Sequence, residues 1–130
     1  MKLKIESDFI YKGLRCVVIF TPGGYRCGYV GVTPESCYYG KLCDDLEIAC
    51  HGGLTYSDGG KDSTHPVESD LWWFGFDCDH YEDGNDIKLA KMYYPERHIL
   101  DIEYEGEMRS LGYVQNECVK IADQLVEVEK

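Results

Sequence analysis

Between Leu14 and Val32 apolar and polar positions alternate, and the alternation breaks once, at Thr21-Pro22-Gly23-Gly24. Leu14, Cys16, Val18 and Phe20 share one face of the first half, opposite Arg15, Val17 and Ile19; on the return, Tyr25, Cys27, Tyr29 and Gly31 oppose Arg26, Gly28, Val30 and Val32. A period of two on either side of a proline–glycine reversal predicts a β-hairpin, because proline fixes φ and glycine accepts a positive φ. Glu47 to Ser57 predicts a further strand, with Ile48, Cys50, Leu54 and Tyr56 on one face and Ala49, His51, Gly53 and Thr55 on the other. Leu71 to Asp77 (LWWFGFD) is apolar on both faces, as a central or doubly covered strand is. His98 to Tyr104 sets Ile102 and Tyr104 against Asp101, Glu103 and Glu105, the pattern of an edge strand with one wet face.

The period changes near the end of the chain. Leu111, Val114, Cys118, Ile121, Leu125 and Val128 recur at spacings of three and four, which predicts an amphipathic helix; Ser110 is its N-cap, and Glu117, Lys120, Asp123, Gln124 and Glu127 cover the remaining surface. Ile87 to Tyr94 predicts a short helix ended by Pro95, and residues 33–46 a loop or short helix. The polar stretch Asp58 to Asp70, with Gly59-Gly60 and His65-Pro66 as breakers, predicts a mobile loop. One amphipathic helix after several strands gives an α+β fold: an antiparallel or mixed β-sheet with the C-terminal helix packed on one face. At 130 residues the expectation is a single domain spanning 1–130.

Composition narrows the partners. Thirteen basic residues stand against 24 acidic ones, a formal net charge of −11, so the surface repels phosphate backbones and argues against direct nucleic-acid binding. Seven cysteines lie mostly inside apolar runs without the spacing of a disulfide framework, which suits small buried thiols in a reduced cytosol. The start, MKLKIESDFI, lacks the apolar stretch of a secretory signal, and no run is long enough to span a bilayer.

Candidate chemistry gathers at two places. In His51-Gly52-Gly53-Leu54-Thr55-Tyr56-Ser57 two glycines sit beside a titratable ring within an expected strand. Such glycines signal that a strand, a bulge or a ligand approaches the backbone closely. The second place is the acidic loop Asp77-Cys78-Asp79-His80-Tyr81-Glu82-Asp83. Read from Asp79 as a calcium loop it puts Asp83 and Gly84 at the fifth and sixth places, but Tyr81 at the third and Ala90 at the twelfth, so an EF-hand is excluded. An irregular divalent-cation site on Asp77, Asp79 and His80 stays open beside a plain solvated turn. Cys50, His51, Cys78 and His80 are the ligand types zinc prefers, though neighbours in a strand face opposite ways and no CxxC stiffens either half. Cys78 with His51 or His80 is also a thiol–base pair, without any accompanying signature. No P-loop or dinucleotide fingerprint is present.

A pocket is the remaining reading. His51, Gly52, Gly53, Thr55, Tyr56, Ser57, Trp73, Asp77 and His80 are the candidate ligand-binding residues: polar groups to orient a guest, with Trp72, Trp73, Phe74 and Tyr81 as flat surfaces. Stacking on an aromatic side chain contributes about 1–3 kcal/mol per base, which favours a nucleotide-like guest, and Arg15, Arg26, Arg97, His98 and Arg109 are available for a phosphate. The bland alternative is that aromatic residues in an apolar strand are core.

Three segments in this order, RCGYVGV from Arg26, HGGLTYS from His51 and WWFGFDC from Trp72 with His80 two residues on, precede a helix carrying Tyr113-Val114 and Glu117-Cys118. Together they resemble a family of small proteins, without an assigned activity, encoded by tailed bacteriophages and prophages. The resemblance spans about Arg26 to Leu125. It implies an accessory phage protein in the bacterial host cytosol, and by analogy an anti-defence role as an oligomer that sequesters a nucleotide signal. The leading expectation is therefore a homo-oligomeric protein that binds a small nucleotide-like ligand without turning it over. The alternatives are a metal-dependent hydrolase using His51, Asp77, Asp79 and His80, and an acidic decoy presenting Asp101, Glu103, Glu105 and Glu107 to a host nucleic-acid-binding factor.

Overall fold

In the computed structural model, which describes residues 3–60, 67 and 69–128, the chain runs β1 (Lys4–Tyr11), β2 (Leu14–Phe20), β3 (Arg26–Val32), β4 (Tyr56–Gly59), β5 (Trp72–Asp77), α1 (Ile87–Tyr93) and α2 (Leu111–Val128). The strands form one five-stranded antiparallel sheet in the order β1-β2-β3-β5-β4, and α2 packs on one face of it: an α+β architecture. The expected hairpin is β2–β3, closed at Thr21, whose amide donates to Tyr25 O (2.9 Å) while Gly24 N–H returns to Thr21 O (3.0 Å). β5 lies between β3 and β4 and is covered on both faces, Phe74 and Phe76 on one and Trp73 on the other, which is why its sequence is apolar on both sides.

The two faces hold separate clusters. Cys16, Val18, Val30, Val32, Phe74 and Phe76 face α2, which lays Val114, Cys118, Ile121, Ala122 and Leu125 on them. Each aliphatic side chain fully buried there contributes about 1.5–3 kcal/mol. Gly28 lets the layers close: a Cβ on it would stand 2.5 Å from the Phe76 ring and 2.8 Å from the Cys118 sulfur. Val17, Ile19, Cys27, Val67 and Trp73 form the cluster on the other face. A third group, Phe20, Ala90 and Tyr94, fastens α1 to the end of β2, with the Tyr94 hydroxyl donating to Phe20 O. Ser110 caps α2 as expected, its Oγ accepting from Tyr113 N–H at 3.1 Å, and α1 stops just before Pro95.

Several expectations need correction. Glu47 to Ser57 is not a strand: only Tyr56–Gly59 pairs, and Ile48, Cys50 and Leu54 pack irregularly against the α2-side core. Gln124 of α2 takes over the ladder's role there, donating from Nε2 to Ala49 O and accepting Ala49 N–H at Oε1, each at 2.8 Å. His98 to Tyr104 forms no ladder either. Asn85 donates to Ile102 O (2.8 Å) and accepts from Tyr104 N–H (2.9 Å), so one side-chain amide replaces a neighbouring strand while Ile102 and Tyr104 stay exposed. Glu117, expected on the surface of α2, is buried with Lys120 3.1 Å away. β1 pairs with β2 along a weakly patterned, half-exposed sequence; its register slips at Glu6, which turns to grip Arg26 Nε at 2.7 Å. The His65-Pro66 breakers lie outside the described residues. Among the described residues no helix is long and apolar enough to cross a membrane.

Candidate functional site

The glycine pair is a turn. Gly53 N–H donates to Cys50 O at 3.0 Å, with Gly52 at φ 68° and Gly53 at φ 81°. The positive φ suits glycine at both positions. Gly52 is needed for a second reason: a Cβ on it would overlap the His80 ring at Nε2. The body that approaches this backbone closely is the protein's own imidazole. Nothing lies within 4 Å of the Cβ that Gly53 lacks, so that residue serves the turn alone.

Carried on this turn, His51 points between the acidic loop and α2. Its Nε2 lies 2.9 Å from Asp83 Oδ2, and its Nδ1 2.8 Å from the Tyr113 hydroxyl. An ionised carboxylate only accepts, so Nε2 carries a proton toward Asp83, and a singly protonated ring then accepts from Tyr113 at Nδ1. Asp83 is almost wholly buried, its side chain 1% exposed, and is saturated with donors. Oδ2 also takes the His80 amide (3.1 Å), and Oδ1 takes Arg109 Nε (2.8 Å). Arg109 passes its remaining charge to Glu107 Oε2 at 2.9 Å and lies over the Tyr113 ring. Burial alone would raise the Asp83 pKa; the hydrogen bonds from His51, Arg109 and the His80 amide together outweigh it and hold the carboxyl below its ordinary value. Beside them the Cys78 thiol, 2% exposed, is pushed up to about 12, first by burial and then by the charge of Asp83. A ring nitrogen of His51, the Cys78 sulfur and a carboxylate oxygen of Asp83 all lie within 4.8 Å of one another.

On the other side of His80 the sheet opens into a cleft of about 470 Å³, lined by Tyr25, Cys27, Tyr29, Thr55, Tyr56, Phe76, Asp77, Asp79 and His80. That size falls within the range of small-ligand pockets. Tyr29 and Tyr56 meet edge to face, ring centroids 5.3 Å apart. The Thr55 hydroxyl donates to Asp77 Oδ2 (3.1 Å), and Asp77 Oδ1 accepts the Asp79 amide (3.1 Å). His80 Nε2 stands 3.5 Å from Asp77 Oδ1 yet makes no hydrogen bond, although it is buried. Burial, followed by the neighbouring Asp77 charge, raises the Asp79 pKa. Among the described residues no lysine or arginine lines the cleft.

The structure thus brings Thr55, Tyr56, Asp77 and His80 together and sends the other candidates elsewhere. Trp73 is fully buried, its Nε1 donating to Ser69 Oγ at 3.1 Å. Ser57 Oγ accepts the Cys43 amide at 2.9 Å. His51 and His80 are neighbours, ring centroids 5.7 Å apart, but His51 turns to Asp83. Asp77, Asp79 and His80 do not form a metal-type cluster among the described residues; the cluster that forms is His51, Cys78 and Asp83. Asp83 and Tyr113 therefore join the site unanticipated, and Arg109, expected as a phosphate partner, is the ion-pair partner of Asp83 instead. Asp83 stands out in sequence only for its place in the acidic loop, and no sequence spacing ties it to Arg109 or to a tyrosine on the distant helix. Of the acidic residues Asp101 to Glu107, Asp101 is bonded to Lys91 and Glu107 to Arg109.

Comparison with known proteins finds no matching family model, curated protein or solved structure.

Proposed function

We propose that the protein binds a small, flat, amino-bearing ligand without turning it over, holding it in the cleft between the β3–β5–β4 face and the Asp77–His80 turn. The observation that carries this reading is the lining itself: three tyrosines beside two carboxylates, a hydroxyl and an imidazole in one opening. Tyrosine rings supply apolar contact with a polar edge. Asp77 and Asp79 accept from ring N–H or exocyclic amino groups, which a nucleobase presents. The base or nucleoside portion of a nucleotide-like ligand is the part this chemistry favours. A phosphate finds no partner there: Arg15, Arg26 and Arg109 are each engaged, by Asp8, Glu6 and Asp83. An accessory role during phage infection, implied by the resemblance, would place the chain in a reducing cytosol, and cysteines that form no disulfide among the described residues suit that setting.

Calorimetric titration of a panel of nucleobases, nucleosides and nucleoside monophosphates tests the reading. Nucleosides bind, the monophosphates bind no tighter, and Asp77→Asn weakens binding about tenfold or more, the loss of a charged hydrogen-bond acceptor. Silence across the panel, or binding untouched by Asp77→Asn, overturns it.

A further inference from the structure

The geometry points to a zinc-type metal site built from His51 Nε2, Cys78 Sγ and one Asp83 carboxylate oxygen, separate from the ligand cleft. Three observations carry it. The first is the donor set. Thiolate, imidazole and carboxylate on one ion is the mixture borderline-soft Zn²⁺ takes, and the three donor atoms lie within 4.8 Å of one another. A tetrahedral zinc with bonds of about 2.0–2.3 Å spaces its donors about 3.3–3.8 Å apart, so the His51–Asp83 contact of 2.9 Å opens slightly as the ion enters.

The second observation is that the supporting contacts already stand. Metal-ligating histidine needs a partner on its other nitrogen, and ligating carboxylate needs one on its other oxygen. Tyr113 meets His51 Nδ1 at 2.8 Å, and Arg109 Nε meets Asp83 Oδ1 at 2.8 Å. The proton accounting closes. The His51 proton moves from Nε2 to Nδ1, the Tyr113 hydroxyl turns from donor to acceptor, and Cys78 releases its thiol proton to solvent as the sulfur–metal bond forms. The Arg109 charge beside the ion is matched by Glu107 at 2.9 Å.

The third is an acidic approach. A cleft of about 670 Å³ has Asp83 in its lining and is walled by Asp79, Glu82, Glu103 and Glu105 with Tyr81 and Tyr104. Carboxylates around an opening raise the local concentration of cations. The acidic excess of the chain, which argues against nucleic acid, here gathers the ion.

Cobalt(II), which takes the place of zinc and reports thiolate ligation by its absorption, tests the assignment on chelator-treated full chain. One equivalent of Co²⁺ gives a sulfur-to-cobalt charge-transfer band, and Zn²⁺ displaces it. Cys78→Ser abolishes the band. Joint replacement of Cys37, Cys43 and Cys50 by serine leaves it, which separates Cys78 from the more accessible thiols. Tyr113→Phe keeps the band but weakens metal affinity about 10–100-fold, a loss expected of a group acting through a ligand. Should Cys78→Ser fail to fold by circular dichroism, the triple-serine and Tyr113→Phe results still decide. No band in the wild-type chain, a band lost with the triple serine set, or an affinity unmoved by Tyr113→Phe overturns the assignment. Nucleoside binding in the other cleft is read separately in the metal-free protein, so either proposal can fail alone.

Discussion

The two sides of His80 differ in how they treat a carboxylate. On the α2 side Asp83 is buried and receives a hydrogen bond from each of His51, His80 and Arg109. On the open side Asp77 sits half-buried in the cleft lining, held by Thr55 and the Asp79 amide, with an imidazole nitrogen nearby that makes no hydrogen bond. Asp83 joins segments distant in sequence, so its bonds serve the fold. Asp77 leaves hydrogen-bonding capacity for something from outside. One short stretch of chain, residues 77–83, supplies both, and burial sorts them.

The comparison breaks first at Asp83. Asp83→Asn leaves Arg109 and His51 facing a neutral amide in a buried place, and loss of one partner of such a pair costs about 3–5 kcal/mol. Urea unfolding of the metal-free chain should show that loss, while Asp77→Asn, at a half-buried carboxylate holding two hydrogen bonds, costs about 0.5–1.5 kcal/mol. Equal losses at both positions would erase the distinction. Gly52→Ala comes next. It forces an unfavourable φ and displaces His80, together about 1–3 kcal/mol, and pairing it with His80→Ala should recover the steric share. No recovery would mean that the turn alone dictates the glycine.

Acid sharpens the contrast further. The folded-state pKa of Asp83 lies below its ordinary value of 3.8, so its contribution is complete above that value and fades as pH falls through the folded pKa. Stability of the metal-free wild type should decline below about pH 4 more steeply than that of Asp83→Asn. Parallel curves would remove Asp83 as the cause. A smaller effect than those at Asp83 and Gly52 belongs to Thr55→Val, about 0.5–1.5 kcal/mol, with a measurable fall in nucleoside affinity because Asp77 loses its anchor.

Much of the sheet is legible in sequence because the two-residue period survives wherever a face is buried, as from Leu14 to Val32 and again from Trp72 to Asp77. The helix is legible for the same reason at its own period. Where burial is partial the signal fails: β1 shows weak alternation, and Ile102 with Tyr104 alternates in the open without a partner strand. The segment around Ile48 and Cys50 has a strand's apolar spacing because its side chains reach the core, yet its backbone bonds go to Gln124. The site is half legible. Thr55, Tyr56, Asp77 and His80 meet because β4 and β5 are paired, and β4 runs on into Asp58 and Gly59, where the sequence pattern reads as a loop. Asp83, Arg109 and Tyr113 meet His51 through a loop crossing between distant segments, and pairwise spacing carries no trace of that.

Gly52 and His80 occupy one volume between them. In natural variants of this chain, any side chain at the first position would be paired with a smaller group at the second. The two columns of such a sequence set would change together.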